Sequence, residues 1–157
     1  LVRCFHPLSL DERFPVRIVS TGLRDIIMPI SAPNVLETMV PDFNEISILS
    51  KEMKCIGIHC FALTESDIDN ASTAVCRNFA PLYGINEEAA TGTSNCALAC
   101  YLHNLGIRPQ RYIFEQGHNL SSVSRIIVEL KTDTDILDVR VGGDGIIEGI
   151  LDKDIIS

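Results

Sequence analysis

A chain of 157 residues, 46% hydrophobic and 22% charged, suits one compact domain with its own apolar core, so neither a disulfide framework nor a structural metal is needed. A formal net charge of −8, with no Lys/Arg stripe, repels phosphate backbones and anionic lipid and argues against binding to nucleic acid or a membrane surface. The apolar runs are too short to span a bilayer, and no secretory leader is recognisable. The six cysteines lack CxxC spacing and read as reduced thiols of a cytoplasmic protein.

In chain order, VRIVST (16–21) and DIIMPI (25–30) read as two strands joined through a tight connection at Gly22. Ser31 to Asn34 is turn chemistry, with Asn34 the expected cap of a short helix, VLETM (35–39). A second helix is expected from Asp42 to Met53, capped by Asp42, with Ile46, Leu49 and Met53 near helical spacing. CIGIHCFAL (55–63) predicts a buried strand and TESDIDNAS (64–72) a polar loop; TAVCRNFA (73–80) predicts another strand, with Val75 and Phe79 among the candidates for burial. A helix follows from about Thr93 to Asn104, with Gly106 at its end. RYIFEQ (111–116), SRIIVEL (124–130), ILDVRV (136–141) and DGIIEGIL (144–151) then alternate with turns as strands. The pattern is α+β, a β-rich domain with one central helix and shorter flanking ones.

The stretch from Phe79 to Asn95 carries the chemistry. Gly92, set between Thr91 and Thr93 at a helix start, leaves backbone N–H groups free and lets a ligand approach closely. With the helix dipole added, that is a site for a carboxylate or phosphate. No acid occupies the first turn, whereas Glu87 and Glu88 lie just upstream and can project toward the same spot. Small residues (Cys96, Ala97, Ala99, Cys100) let a sheet wrap the helix closely. Taken alone, the motif also suits a Thr-capped core helix that binds nothing.

Arg77, Phe79-Ala80-Pro81, Gly84-Ile85 and then Glu87-Glu88-Ala89-Ala90-Thr91-Gly92-Thr93 resemble the signature of the PhzF-like family, of the phenazine-biosynthesis and diaminopimelate-epimerase-like superfamily. Val19-Ser20-Thr21-Gly22, Pro41-Asp42, Gln116-Gly117, Ser124-Arg125 and Val141-Gly142-Gly143 match further segments of that family in the same order over nearly the whole chain. The resemblance is to the C-terminal domain of such a protein. It implies a diaminopimelate-epimerase-like fold: a curled mixed sheet around a central helix, one of two similar domains with the active site between them.

The resemblance also implies cofactor-independent isomerisation by acid/base proton transfer on a small carboxylate-bearing metabolite. A Glu of the N-terminal domain, absent from this chain, moves the proton. Carried over by position, Glu88 is the catalytic candidate, with Thr91, Gly92 and Thr93 holding the substrate carboxylate. Here Glu88 replaces the family's Asp, Ala89 its Pro, and Ser121-Ser122-Val123 its Gly-Arg-Pro. The expected partners are the substrate and an N-terminal domain or complementing chain, with a second copy of this chain as a further partner. The alternative is a non-catalytic small-ligand-binding or interaction module that keeps the fold; a mean hydropathy of +0.20 despite the charge fits apolar surface awaiting cover.

Other polar residues read more plainly. Ala89 stands where a thiol racemase of the superfamily would carry Cys, which disfavours that chemistry. Cys96, Cys100 and His103 lie near one helix face, better explained by packing than by a metal site, so no metal and no cofactor are expected. His59 reads as a satisfied core or interface histidine. His118, in an exposed turn, is a candidate substrate contact. Asp133, Asp135, Asp138 and Asp144 read as solvated turn residues, and Gly142-Gly143 as a bulge or close turn.

Overall fold

The computed structural model describes residues 1–64, 72–133 and 136–144. A short strand β1 (Phe5–His6) precedes the hairpin of β2 (Arg17–Ser20) and β3 (Arg24–Pro29), which turns through Gly22 at φ +136°. Helix α1 (Pro33–Thr38) and β4 (Val40–Pro41) lead into α2 (Phe43–Met53), then β5 (Gly57–Leu63) and β6 (Ala74–Ala80). After a 3-10 turn come β7 (Ile85–Glu88), the central helix α3 (Gly92–Asn104), β8 (Tyr112–Gln116), β9 (Ser124–Asp133) and β10 (Ile136–Gly143).

Asp42 caps α2 as expected, its carboxylate accepting from the Asn44 and Glu45 amides at 3.0 and 3.1 Å. The Asn34 expectation is corrected. Helix α1 starts at Pro33, whose fixed φ suits a first helical position, and Ala32 precedes it without any side-chain cap. Gly142 and Gly143 form no bulge but continue a regular ladder opposite Ile127 and Ile126. At Gly143 a Cβ would lie 2.9 Å from the Arg125 carbonyl, so close backbone approach is what excludes a side chain there. The loop expected over 64–72 falls mostly outside the described residues; so do the strand expected over 144–151 and Asp135.

Among the described residues an eight-stranded sheet runs β10-β9-β8-β6-β5-β3-β2, with β7 added beside β6. It is mixed: β3/β5 and β6/β8 pair in parallel, the other pairs antiparallel. Laid flat, seven strands would span roughly 30 Å. Yet α3, about 10 Å across, touches β2 and β3 at one end of the order and β9 and β10 at the other. The sheet therefore curls around α3. That helix packs with Ile27, Phe61, Ala74, Cys76, Phe114 and Val128 on the inner face. The outer face, carrying Ile26, Met28, Ile58, Cys60 and Phe79, packs against Leu36 of α1 and Ile46 of α2.

One edge of β6 is shared. Its first half, Ala74 to Cys76, pairs with β8, and its second half, Asn78 to Ala80, pairs with β7. The sheet forks there, and the loop leading into α3 leaves from the fork. Arg77 sits at the fork. It is buried on the outer face, doubly bonded to Glu87 at 2.8 Å, and donates to the carbonyls of Leu36 and Met39 at 3.0 and 2.7 Å.

Candidate active site

Residues Glu88 to Gly92 cross from the end of β7 to the start of α3. Thr91 is the N-cap residue, but its side chain does not cap the helix. Its hydroxyl instead donates to Glu88 Oε2 at 2.8 Å. The Thr-capped core helix weighed from sequence is thus not what forms. The first three amides, of Gly92, Thr93 and Ser94, have no intrahelical acceptor, and no side chain among the described residues caps them. No acid lies in that first turn to neutralise the dipole. Glu88, Thr91 and Gly92 are half-buried and Thr93 is exposed, so the helix start opens on the surface.

Gln116 holds this loop. Its Nε2 donates to the Glu88 carbonyl at 2.6 Å and to the Thr91 hydroxyl at 3.0 Å. Its Oε1 accepts from Asn95 Nδ2 at 2.9 Å, and the same nitrogen donates to the Thr91 carbonyl at 2.9 Å. Gly117, at φ +94°, turns the chain where any Cβ would overlap the Ser122 carbonyl and crowd that of Ala89 at 3.1 Å. Backbone contact at Gly117 therefore joins β8 to the loop.

Beneath the first turn lies a layer of buried polar side chains: Asp25, His59, Asn78 and Gln116 from the sheet, Ser94 and Asn95 from the helix. Ser94 donates to Asp25 Oδ2 at 2.7 Å. Burial pushes the Asp25 carboxyl up from its ordinary range and the nearby Glu88 charge adds to this, while bonds from Ser94 and the Gly57 amide oppose it. His59 is fully buried, with Nδ1 3.1 Å from Asn78 Oδ1, and burial lowers its imidazole to about 4, so the ring is neutral at pH 7.

The structure brings together Glu88, Thr91, Gly92 and Thr93. The described contacts of His118 lead elsewhere: it lies 3.2 Å from Glu115 and lines a cleft with Pro33, Leu36, Arg77 and Asn119. Burial raises the thiols of Cys96 and Cys100, which leaves them protonated and poor nucleophiles at neutral pH. Sequence reasoning missed Gln116, Asn95 and Asp25. The signal for Gln116 and Asp25 was period two: Gln116 alternates with Tyr112 and Phe114, and Asp25 with Ile27, which places both on the helix-facing side. Asn95 carried no comparable signal.

The sequence pattern of the family described as phenazine biosynthesis-like protein matches residues 3–149. The chain belongs to that family. An uncharacterized isomerase of Clostridium acetobutylicum is 32% identical over 145 residues, covering 88% of this chain and 47% of its own. A phenazine biosynthesis protein of the PhzF family from Bacillus anthracis superposes with a TM-score of 0.75 at 26% identity, over 86% of this chain and 47% of that one. A predicted epimerase from Pseudomonas aeruginosa gives 0.63 at 28% identity, over 86% and 43%. The chain spans about half the length of the relatives it matches. Within the phenazine biosynthesis-like family, then, this chain supplies a curled mixed sheet, its central helix and the open loop at the helix start.

Proposed function

We propose that this chain is the C-terminal domain of a cofactor-independent isomerase or epimerase that moves a proton on a small carboxylate-bearing metabolite. On this reading an N-terminal domain or complementing chain contributes the other half of the site. The observation that carries it is the pairing of a half-buried carboxylate, Glu88, with a helix start whose amides are uncapped and reachable. The amides and dipole grip the substrate carboxylate. Thr91 occupies Glu88 Oε2 and leaves Oε1 to hydrogen-bond the substrate or exchange its proton.

The family and its isomerase relatives support the reaction class. The cytoplasmic setting rests on six free cysteines, and no described helix is long and apolar enough to cross a membrane. To test the reading, the full-length protein carrying this chain is incubated in D2O with a panel of chiral amino and hydroxy acids, and α-proton loss is followed by proton NMR. Exchange on at least one acid, abolished in Glu88→Gln, is expected. Exchange that survives Glu88→Gln would remove Glu88 from the chemistry. Acetate binding at the helix start without exchange on any acid would favour a non-catalytic binding module.

A further inference from the structure

We propose that Gln116 is a positioning residue: by donating to the Thr91 hydroxyl it turns that group's proton onto Glu88 Oε2 and reserves Oε1 for the proton in transit. The inference deepens the isomerase reading above and rests on it for the purpose of that proton; the direction of the bonds depends on no substrate.

The directions follow from two backbone carbonyls, which can only accept. Gln116 Nε2 lies 2.6 Å from the Glu88 carbonyl, and Asn95 Nδ2 lies 2.9 Å from that of Thr91. Turning either amide over would set oxygen against oxygen, so both orientations are fixed. Gln116 Oε1 then accepts from Asn95 at 2.9 Å, and the second hydrogen on Gln116 Nε2 goes to the Thr91 hydroxyl at 3.0 Å. Gln116 and Asn95 are both fully buried, so water competes poorly for these bonds.

A threonine hydroxyl has one hydrogen. With its oxygen accepting from Gln116, the Thr91 hydroxyl gives that hydrogen to Glu88 Oε2 at 2.8 Å. Every link from Asn95 through Gln116 and Thr91 thus donates toward Glu88, and bonds aligned in this way polarise one another. One amide group holds Glu88 twice, directly at its backbone carbonyl and through Thr91 at its carboxyl group. A proton placed on Oε2 would face the Thr91 hydroxyl hydrogen and drive it from its acceptor. A proton on Oε1 meets no such cost, so Oε1 is the oxygen that takes and returns it.

The test measures kcat and KM of the full-length protein for α-proton exchange in D2O, on whichever acid of the panel above exchanges. Gln116→Met, close in shape but without donors, is expected to lower kcat about fivefold, the worth of one hydrogen bond, with KM little changed. Thr91→Val should lower kcat too, and the double variant no further than the lower single, because both break one chain of bonds. Losses that multiply, or a Gln116→Met effect confined to KM, overturn the proposal. If no acid exchanges, the reaction reading falls, and NMR of the 157-residue chain decides the bond directions. Both Gln116 amide protons should then exchange slowly with solvent, one of them with a nuclear Overhauser contact to the Thr91 methyl. A rapidly exchanging pair, or a missing contact, overturns the proposal. The same spectrum decides should Gln116→Met not fold.

Discussion

A methyl group added at Gly92 would rest 3.6 Å from the Val141 side chain, an ordinary contact, and Gly92 is not among the glycines at positive φ. The fold does not require glycine here, and alanine is the better helix former by about 1 kcal/mol. Gly92→Ala is therefore expected to leave urea stability equal or slightly raised while weakening acetate binding at the helix start. Loss of fold would show that the missing side chain serves packing and not a ligand.

Asp25 and His59 give stability opposite pH dependences. Burial raises Asp25 above its unfolded value. Its contribution is then full below the unfolded pKa, near 4, and is lost as pH rises through the folded one. Asp25→Asn should remove that loss. His59 falls from 6.5 to about 4, so its contribution is present above 6.5 and lost as pH falls toward 4. The shift corresponds to about 3 kcal/mol. Urea unfolding at pH 7 and pH 4.5 should show a smaller acid loss in His59→Gln than in the native chain; an equal loss would assign the acid sensitivity to other groups.

At the level of elements, Arg77 ties three pieces together: β6 that bears it, β7 through Glu87, and the end of α1 through Leu36 and Met39. Its side chain and that of Glu87 are only 5% and 10% exposed. Removing one member of such a pair strands the other, at a cost of about 3–5 kcal/mol. Arg77→Met is expected to lower the urea midpoint accordingly, and a change under about 1 kcal/mol would show that the pair behaves as a solvated one.

Elements differ in how plainly the residues announce them. Strands β5 and β6 are apolar runs buried on both faces, and α2 opens on a side-chain cap, so local chemistry alone finds them. Strand β7, with the sequence INEE, has one apolar residue and is a strand only because β6 offers it an edge. No periodicity could reveal it. The two-residue β1 and β4 exist only by pairing with each other. Likewise Glu88, Thr91, Gly92 and Thr93 were legible from motif and resemblance. The bonds that hold them were not, because Asn95 and Gln116 meet each other and the Thr91 loop only once the sheet has curled around the helix.

For the molecule as a whole, the open helix start and the share of its relatives that the chain spans lead to one expectation. The 157-residue chain alone should bind acetate without exchanging substrate protons, and the full-length protein should do both. Exchange by the short chain would place all the acid/base groups within it and make a second domain unnecessary to the chemistry.

The shared edge of β6 has a consequence in time as well as in space. Its first half is clamped between β5 and the buried β8; its second half has β7 as outer neighbour, a short strand with exposed Ile85. Backbone amides that bond across to β7 can thus open by local fluctuation, while those facing β8 wait for cooperative unfolding. A single strand would then show two deuterium-exchange clocks. The faster one would tick on the half that pairs with β7 and faces Glu88, giving the loop freedom to adjust without loosening the barrel-like wrap behind it.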